Sequence, residues 1–230
     1  MVGAMANSTP PSVRSHLSAA AFRALARERL HADPTDAIFD PRTGKTWARG
    51  DFELNPDMVA DFALMPAARA AAVLVPVVAR EQLTVLFTVR TDHLPTHAGQ
   101  IAFPGGKVEK DDAGPTAAAL REAREEIGLQ AQFIEPLGFL DSYRSGTGFQ
   151  IVPVVALIEP GFKLAPEPGE VADIFEVPLD FLMDVINHQR ASREWKGRQR
   201  HFYAIPYGER YIWGATAAIV KNMQDRLFGA

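Results

Sequence analysis

Two rhythms of apolar and polar positions run along this chain. Residues 13–31 place Leu17, Ala21, Ala24, Leu25 and Leu30 at helical spacing, which predicts an N-terminal helix with Arg23, Arg27 and Arg29 on its surface. Residues 1–12 before it are small, polar and proline-containing, and predict a disordered start. Residues 33–65 are rich in Asp, Pro and Gly and predict an ordered coil arm, so that 13–69 reads as a helix and arm. The compact region, 70–230, begins at Ala70. Apolar runs at 71–78 and 83–89 predict two strands joined by a turn at Glu81 and Gln82, with Pro76 marking an edge or a bulge. Residues 99–103 predict a short strand leading into a Gly-rich turn at Gly105 and Gly106. Further strands are expected at 133–140, 149–157 and 174–177, a helix at 179–186, and a hairpin from 201–205 and 211–213. An amphipathic helix at 216–227 closes the chain, with Ala217, Ile219, Val220 and Met223 for its buried side. Strands mixed with a few helices predict a layered α/β (α+β) domain.

One helix differs from the others in chemistry. Pro115 suits a first helical position, and Gly128 suits the left-handed position just past the end. Leu120, Ala123 and Ile127 form its apolar stripe. Glu122, Glu125 and Glu126 stand at i, i+3 and i+4 on another face. Like charges so spaced destabilise a helix by roughly 0.2–0.5 kcal/mol per pair. A solvated face accounts for two glutamates; three together are better explained by a cation among them, and Mg²⁺ takes carboxylate and phosphate oxygens. Arg121, one turn before Glu125, is placed to pair with it.

Gly106, Asp112 and the run Arg121-Glu122-Ala123-Arg124-Glu125-Glu126-Ile127-Gly128-Leu129 resemble the Nudix box, G-x5-E-x7-R-E-U-x-E-E-x-G-U with U apolar. Asp112 stands at the first Glu, and one extra residue precedes Arg121. Just upstream, Leu86, Thr88, Arg90, Gly99, Phe103, Pro104, Gly105 and Gly106 resemble the added signature of the coenzyme A pyrophosphatase branch, L-L-T-x-R-(S/A)-x3-R-x3-G-x3-F-P-G-G. Phe87, Thr91 and Pro95 depart from it, and Pro95 removes an Arg that could pair with a phosphate. Segments at 168–171, 175–179 and 212–217 are similar to the branch's downstream parts, so the likeness spans about residues 70–220.

The resemblance implies a mixed β-sheet sandwiched between helices, with the acidic helix at the mouth of a cleft. It implies metal-dependent hydrolysis of the diphosphate of coenzyme A or acyl-coenzyme A, giving 4′-phosphopantetheine or its acyl form and adenosine 3′,5′-bisphosphate. Mg²⁺ or Mn²⁺ is the implied cofactor. Its ligands would be Glu122, Glu126, Glu125 and the Gly105 carbonyl, with Glu125 alternatively the base. Arg121 would orient a glutamate, and Glu170, after a flexible Pro/Glu loop at 164–170, is the candidate base or extra ligand from outside the box. Arg90, Gly99, Phe103 and Ser145 are the expected substrate contacts. Two alternatives stay open: cleavage of ADP-ribose or a dinucleotide, and a domain that senses a ligand without cutting it.

Composition narrows the field further. A net charge of −4 provides no broad basic field for nucleic acid. The chain has no Cys, hence neither disulfides nor a thiolate zinc site. No apolar run approaches the roughly 20 residues of a membrane span, and the start lacks a signal-peptide core. These features predict a cytoplasmic enzyme without membrane or nucleic-acid partners; a homodimer through the N-terminal helix is a further expectation. His93 and His97 are four apart but interrupted by Pro95, which argues against a zinc pair on one helix. Ser145 lies outside any G-x-S-x-G elbow and reads as a turn whose amides could hold a phosphate. Arg193, Trp195, Lys196, Arg198 and Arg200 form a basic run, read as a solvated loop or as a contact for the 3′-phosphate.

Overall fold

The computed structural model describes residues 17–34, 49–58, 68–94, 97–195 and 197–229. The expected disordered start at 1–12, together with Pro95 and Lys196, lies outside them. A mixed sheet forms the middle of the molecule, nine strands among the described residues. Strand β2 (Arg69–Val78) runs parallel to β8 (Phe149–Ile158) along its whole length, from Arg69 opposite Phe149 to Val78 opposite Ile158. Beyond β8 lie β6 (Ile134–Phe139) and β7 (Tyr143–Arg144), both antiparallel to it, and β1 (Arg49–Gly50) adds to β7. The other side of β2 is shared. Its start pairs with β5 (Gly105–Lys107), and its end pairs with β3 (Thr84–Arg90). Strand β3 also carries β4 (Ile101–Ala102) and β9 (Val171–Pro178).

Pro76 therefore sits in a central strand and not at an edge. It is tolerated because β5 stops pairing at Val73 and β3 begins at Val77. The Leu74 amide donates across to Pro104, and Pro76, two residues on, turns its missing N–H into the same gap.

Alternation along β2 divides the core in two. Ala72, Leu74 and Val78 face helix α2 (Pro115–Ile127), and Val75 and Val77 face the opposite layer. That layer holds α1 (Ala19–Arg29), α3 (Leu179–Met183) and α4 (Ala215–Phe228), with Phe22, Leu182 and Met223 fully buried. The sheet is thus covered by helices on both faces, as expected. Ser18 caps α1 by accepting from the Ala21 amide, which starts the helix at Ala19. Arg23 and Arg27, expected only to decorate its surface, both pair with Glu135 at 2.8 and 2.7 Å. Helix α3 ends at Met183 because Asp184 caps the following short turn instead.

A second, three-stranded antiparallel sheet comprises β10 (Gln189–Trp195), β11 (Arg198–Tyr207) and β12 (Arg210–Trp213). The expected hairpin is its second half. Strand β10 escapes a pattern search because Gln-Arg-Ala-Ser-Arg-Glu-Trp has no apolar alternation, and the basic run is a strand pair and not a solvated loop.

Candidate active site

The acidic helix begins and ends where Pro115 and Gly128 place it: Pro115 is its first residue, and Gly128 (φ 69°) caps it left-handed. Its apolar stripe packs on β2, with Ala123 and Ile127 fully buried. This docking turns Glu122 and Glu126 inward. Glu126 is 5% exposed, the Glu122 side chain 17%, and that of Glu125 51%.

The glycine pair is a strand and not a turn. Gly105 lies so close to β2 that a Cβ would stand 2.6 Å from the Val73 Cα, and its φ of 157° disfavours a side chain. At Gly106 a Cβ would stand 2.5 Å from the Glu122 carboxyl carbon. Glycines here therefore do two jobs: one lets the strand close on the sheet, the other leaves room for an acid. The Gly105 amide donates to Glu126 Oε2 at 3.1 Å.

Arg121 binds four groups at once. Its Nε and Nη2 grip both oxygens of Asp112 at 3.1 and 3.0 Å, and Nη2 also donates to the Lys107 carbonyl at 3.1 Å. Nη1 bridges Glu122 and Glu125, both at 3.0 Å. Asp112, standing where the box has its first Glu, thus holds the guanidinium that holds the glutamates. The Arg121 bond keeps the Asp112 carboxyl below its ordinary range, helped by the Glu109 amide.

Glu170 is brought into this group from 44 residues downstream of Glu126 by a tethered loop. The Ala165 and Glu167 amides donate to the carbonyls of Ile127 and Glu126 at 2.9 and 2.8 Å, so the loop expected to be flexible is tied to the helix end. Thr91 fastens its far end, donating to the Glu170 and Gly169 carbonyls at 3.0 and 3.1 Å. Burial raises the Glu126 carboxyl to about 7; the Gly105 amide opposes this, while Glu122 and Glu170 add to it and Arg90 opposes it. Glu122 is raised as well, chiefly by burial, against the pull of Arg121.

Arg90 ends β3 beside this cluster, and its Nε is buried without a hydrogen bond. Its amide donates to the Gln100 carbonyl at 3.0 Å, and the Gly99 amide donates to its carbonyl at 3.2 Å. Arg90 and Gly99 are therefore neighbours at the same end of the sheet. Phe103 has a different place. It is 4% exposed and stacked on Phe87, ring centres 4.9 Å apart, in the apolar layer opposite α2. Ser145 lies in the β7–β8 turn, its hydroxyl paired with Thr147 at 2.9 Å and accepting from the Phe149 amide at 3.1 Å. The neighbouring Gly146 amide donates to Asp51 at 2.9 Å, so this turn spends its polar groups within the protein.

A NUDIX domain model matches residues 68–199. The chain belongs to the Nudix family. Two similar relatives bear the name "Uncharacterized Nudix hydrolase NudL", from Yersinia pestis (strain Pestoides F) and Yersinia pseudotuberculosis serotype O:1b (strain IP 31758). Each is 36% identical over 159 residues, covering 69% of this chain and 80% of the relative. Among solved structures, the NUDIX domain of Shewanella oneidensis NrtR complexed with ADP ribose aligns with a TM-score of 0.46 and 18% identity, over 75% of this chain and 98% of that one. As a Nudix hydrolase, the chain cleaves phosphorus-containing acid anhydrides in nucleoside diphosphate derivatives. Among the described residues, no helix is long and apolar enough to cross a membrane.

Nudix hydrolases use divalent cations, and the oxygen donors gathered here are of the kind such a cation takes. A buried acid held near pH 7 by burial and two neighbouring acids is a site with negative charge in excess. As they stand, no three Asp, Glu or His side chains among the described residues group as a metal site, and Arg121 holds Glu122 and Glu125.

Proposed function

We propose that this protein hydrolyses the diphosphate of coenzyme A or acyl-coenzyme A in the cytoplasm, releasing 4′-phosphopantetheine or its acyl form and adenosine 3′,5′-bisphosphate. The observation that carries this reading is the run from Leu86 to Gly106, whose Arg90 and Gly99 lie hydrogen-bonded to each other beside the buried Glu126.

Glu122, Glu126 and the Gly105 carbonyl are the residues that would hold Mg²⁺ or Mn²⁺, with Glu125 either joining them or serving as base. Such an ion lowers the pKa of a bound water and neutralises phosphoryl oxygens. The chain's own residues do the rest. Arg121, fixed by Asp112, sets the directions of Glu122 and Glu125. Glu170, carried at the end of its tethered loop, accepts the proton of the attacking water or adds an oxygen ligand. Arg90 offers its guanidinium to the substrate phosphates, where its unpaired buried Nε finds an acceptor. Gly106 keeps side-chain atoms away from the Glu122 carboxylate.

Product analysis with Mg²⁺ or Mn²⁺ across coenzyme A, ADP-ribose and NADH tests the proposal. Adenosine 3′,5′-bisphosphate from coenzyme A is expected, with chelation abolishing its release. Turnover of ADP-ribose or NADH alone would transfer the reading to another nucleoside diphosphate derivative, the alternative that the Pro95 departure keeps open. Binding without turnover of any of the three would make the protein a sensor; the intact Glu122, Glu125 and Glu126 argue against that.

A further inference from the structure

One face of the three-stranded sheet carries chemistry that the diphosphate site leaves unused. Register decides which side chains share it. Arg193 lies opposite Arg200, and Trp195 opposite Arg198. Ala204 pairs with Trp213, and Pro206 with Tyr211. Arg193, Arg198, Arg200, Phe202, Tyr211 and Trp213 therefore occupy one side. The other side holds Tyr203, Ile205, Tyr207 and Ile212, which enter the main core. This face is cationic and aromatic, with Arg193 and Tyr211 exposed on it. The Arg193 guanidinium lies over the Trp213 ring at 4.6 Å, and Phe202 packs against the same indole at 5.3 Å between centres. Tyr211 is 46% exposed. Like charges directly across a strand pair are destabilising. Asp51 pairs with Arg200, and Arg193 keeps its charge at the aromatic surface.

The sheet is fastened to the catalytic end at two points. Thr216, just after β12, donates to the Ile101 carbonyl at 2.9 Å, one residue from the Gln100 that accepts from Arg90. Arg210 pairs with Asp173, three residues beyond Glu170, and stacks over Phe175 at 4.6 Å. A substrate spanning from the diphosphate site onto this face would meet rings with positive charge beside them. Of the two halves of coenzyme A, pantetheine is uncharged and has no ring. The other is a purine carrying a phosphate monoester.

We infer that this face receives the phosphorylated nucleoside half of the substrate, with Trp213 and Phe202 against the base and Arg193 at the 3′-phosphate. The inference rests on the coenzyme A reading above and names the part of the substrate that sets its specificity.

The test compares coenzyme A with 3′-dephospho-coenzyme A in the full-length protein. The wild type is expected to prefer the 3′-phosphorylated compound by on the order of tenfold in kcat/KM, the size of one lost charge-assisted bond. Arg193→Gln should bring that ratio close to one, through KM and not kcat, and Arg193→Lys should restore part of it. Trp213→Leu should raise KM for both compounds. Inhibition of the wild type supplies a reading that needs no variant: adenosine 3′,5′-bisphosphate should bind about tenfold better than 5′-AMP. Equal cleavage of both compounds by the wild type, a preference that survives Arg193→Gln, or equal inhibition by the two nucleotides would overturn this inference and leave the coenzyme A reading standing. Failure to cleave either compound would overturn both.

Discussion

The Gly105 amide and the Glu126 carboxylate meet at 3.1 Å, joining the glycine strand to the acidic helix through a buried acid. That acid loses its proton only near pH 7, against 4.5 for an ordinary glutamate. Between those values the folded protein binds more protons than the unfolded chain. The metal-free protein should therefore be most stable at or below pH 4.5 with respect to this group and lose stability up to about pH 7, by roughly 3 kcal/mol in all. Glu126→Gln should flatten that slope in pH-dependent urea unfolding and lower turnover by at least about a hundredfold. An unchanged slope would show that Glu126 is not the group responsible.

The two glycines predict opposite kinds of damage. Gly105→Ala forces a methyl against the β2 backbone and should destabilise the fold by about 2 kcal/mol or more. Gly106→Ala meets the carboxyl end of Glu122, a flexible side chain that can swing aside at the cost of its Arg121 bond. Its thermal midpoint should stay near the wild type while activity falls at least about tenfold. Calorimetry and turnover on the same two preparations separate the cases.

Arg121→Lys keeps the charge but loses the fork that grips Asp112 while bridging two glutamates. Turnover should drop by on the order of ten- to a hundredfold, with Asp112→Ala falling in the same direction by less. A lysine variant as active as the wild type would mean that the glutamates need no positioning.

Asp141 ties the ends of the chain together. It accepts from His31, Asn222 and Arg226, each at 2.8 Å. Burial pushes its carboxyl up, but these three partners more than offset that, leaving it below its ordinary value. The stability it contributes is present above pH 3.8 and lost as pH falls through the lower folded value. Asp141→Ala strands three donors and should destabilise the fold by about 3 kcal/mol in urea unfolding at pH 7.

Legibility in the sequence followed the range of the interaction. Helix α2 could be bounded from Pro115 and Gly128 because both signals are local. The glutamate trio was visible for the same reason, since helical spacing alone puts three acids on one face. The Gly105–Gly106 strand was not, because a glycine pair ordinarily marks a turn, and only the approach of β2 makes it a strand. Asp112's grip on Arg121 needed the loop's path, and the Asp141 network joins residues 110, 81 and 85 positions apart. Phe103, named as a substrate contact from a motif, is buried in the core, where its ring stacks on Phe87, which in turn stacks on Phe175.

The loop at 164–170 has its own consequence for how such enzymes diverge. Its first half is hydrogen-bonded to the end of helix α2, and its last residue, Glu170, is fastened to Thr91. The number of residues between those two anchors fixes how far the outlying acid leans toward Glu126. Lengthening or shortening this span by a residue would move one carboxylate while the box stays untouched, so evolution has here a ruler separate from the blade.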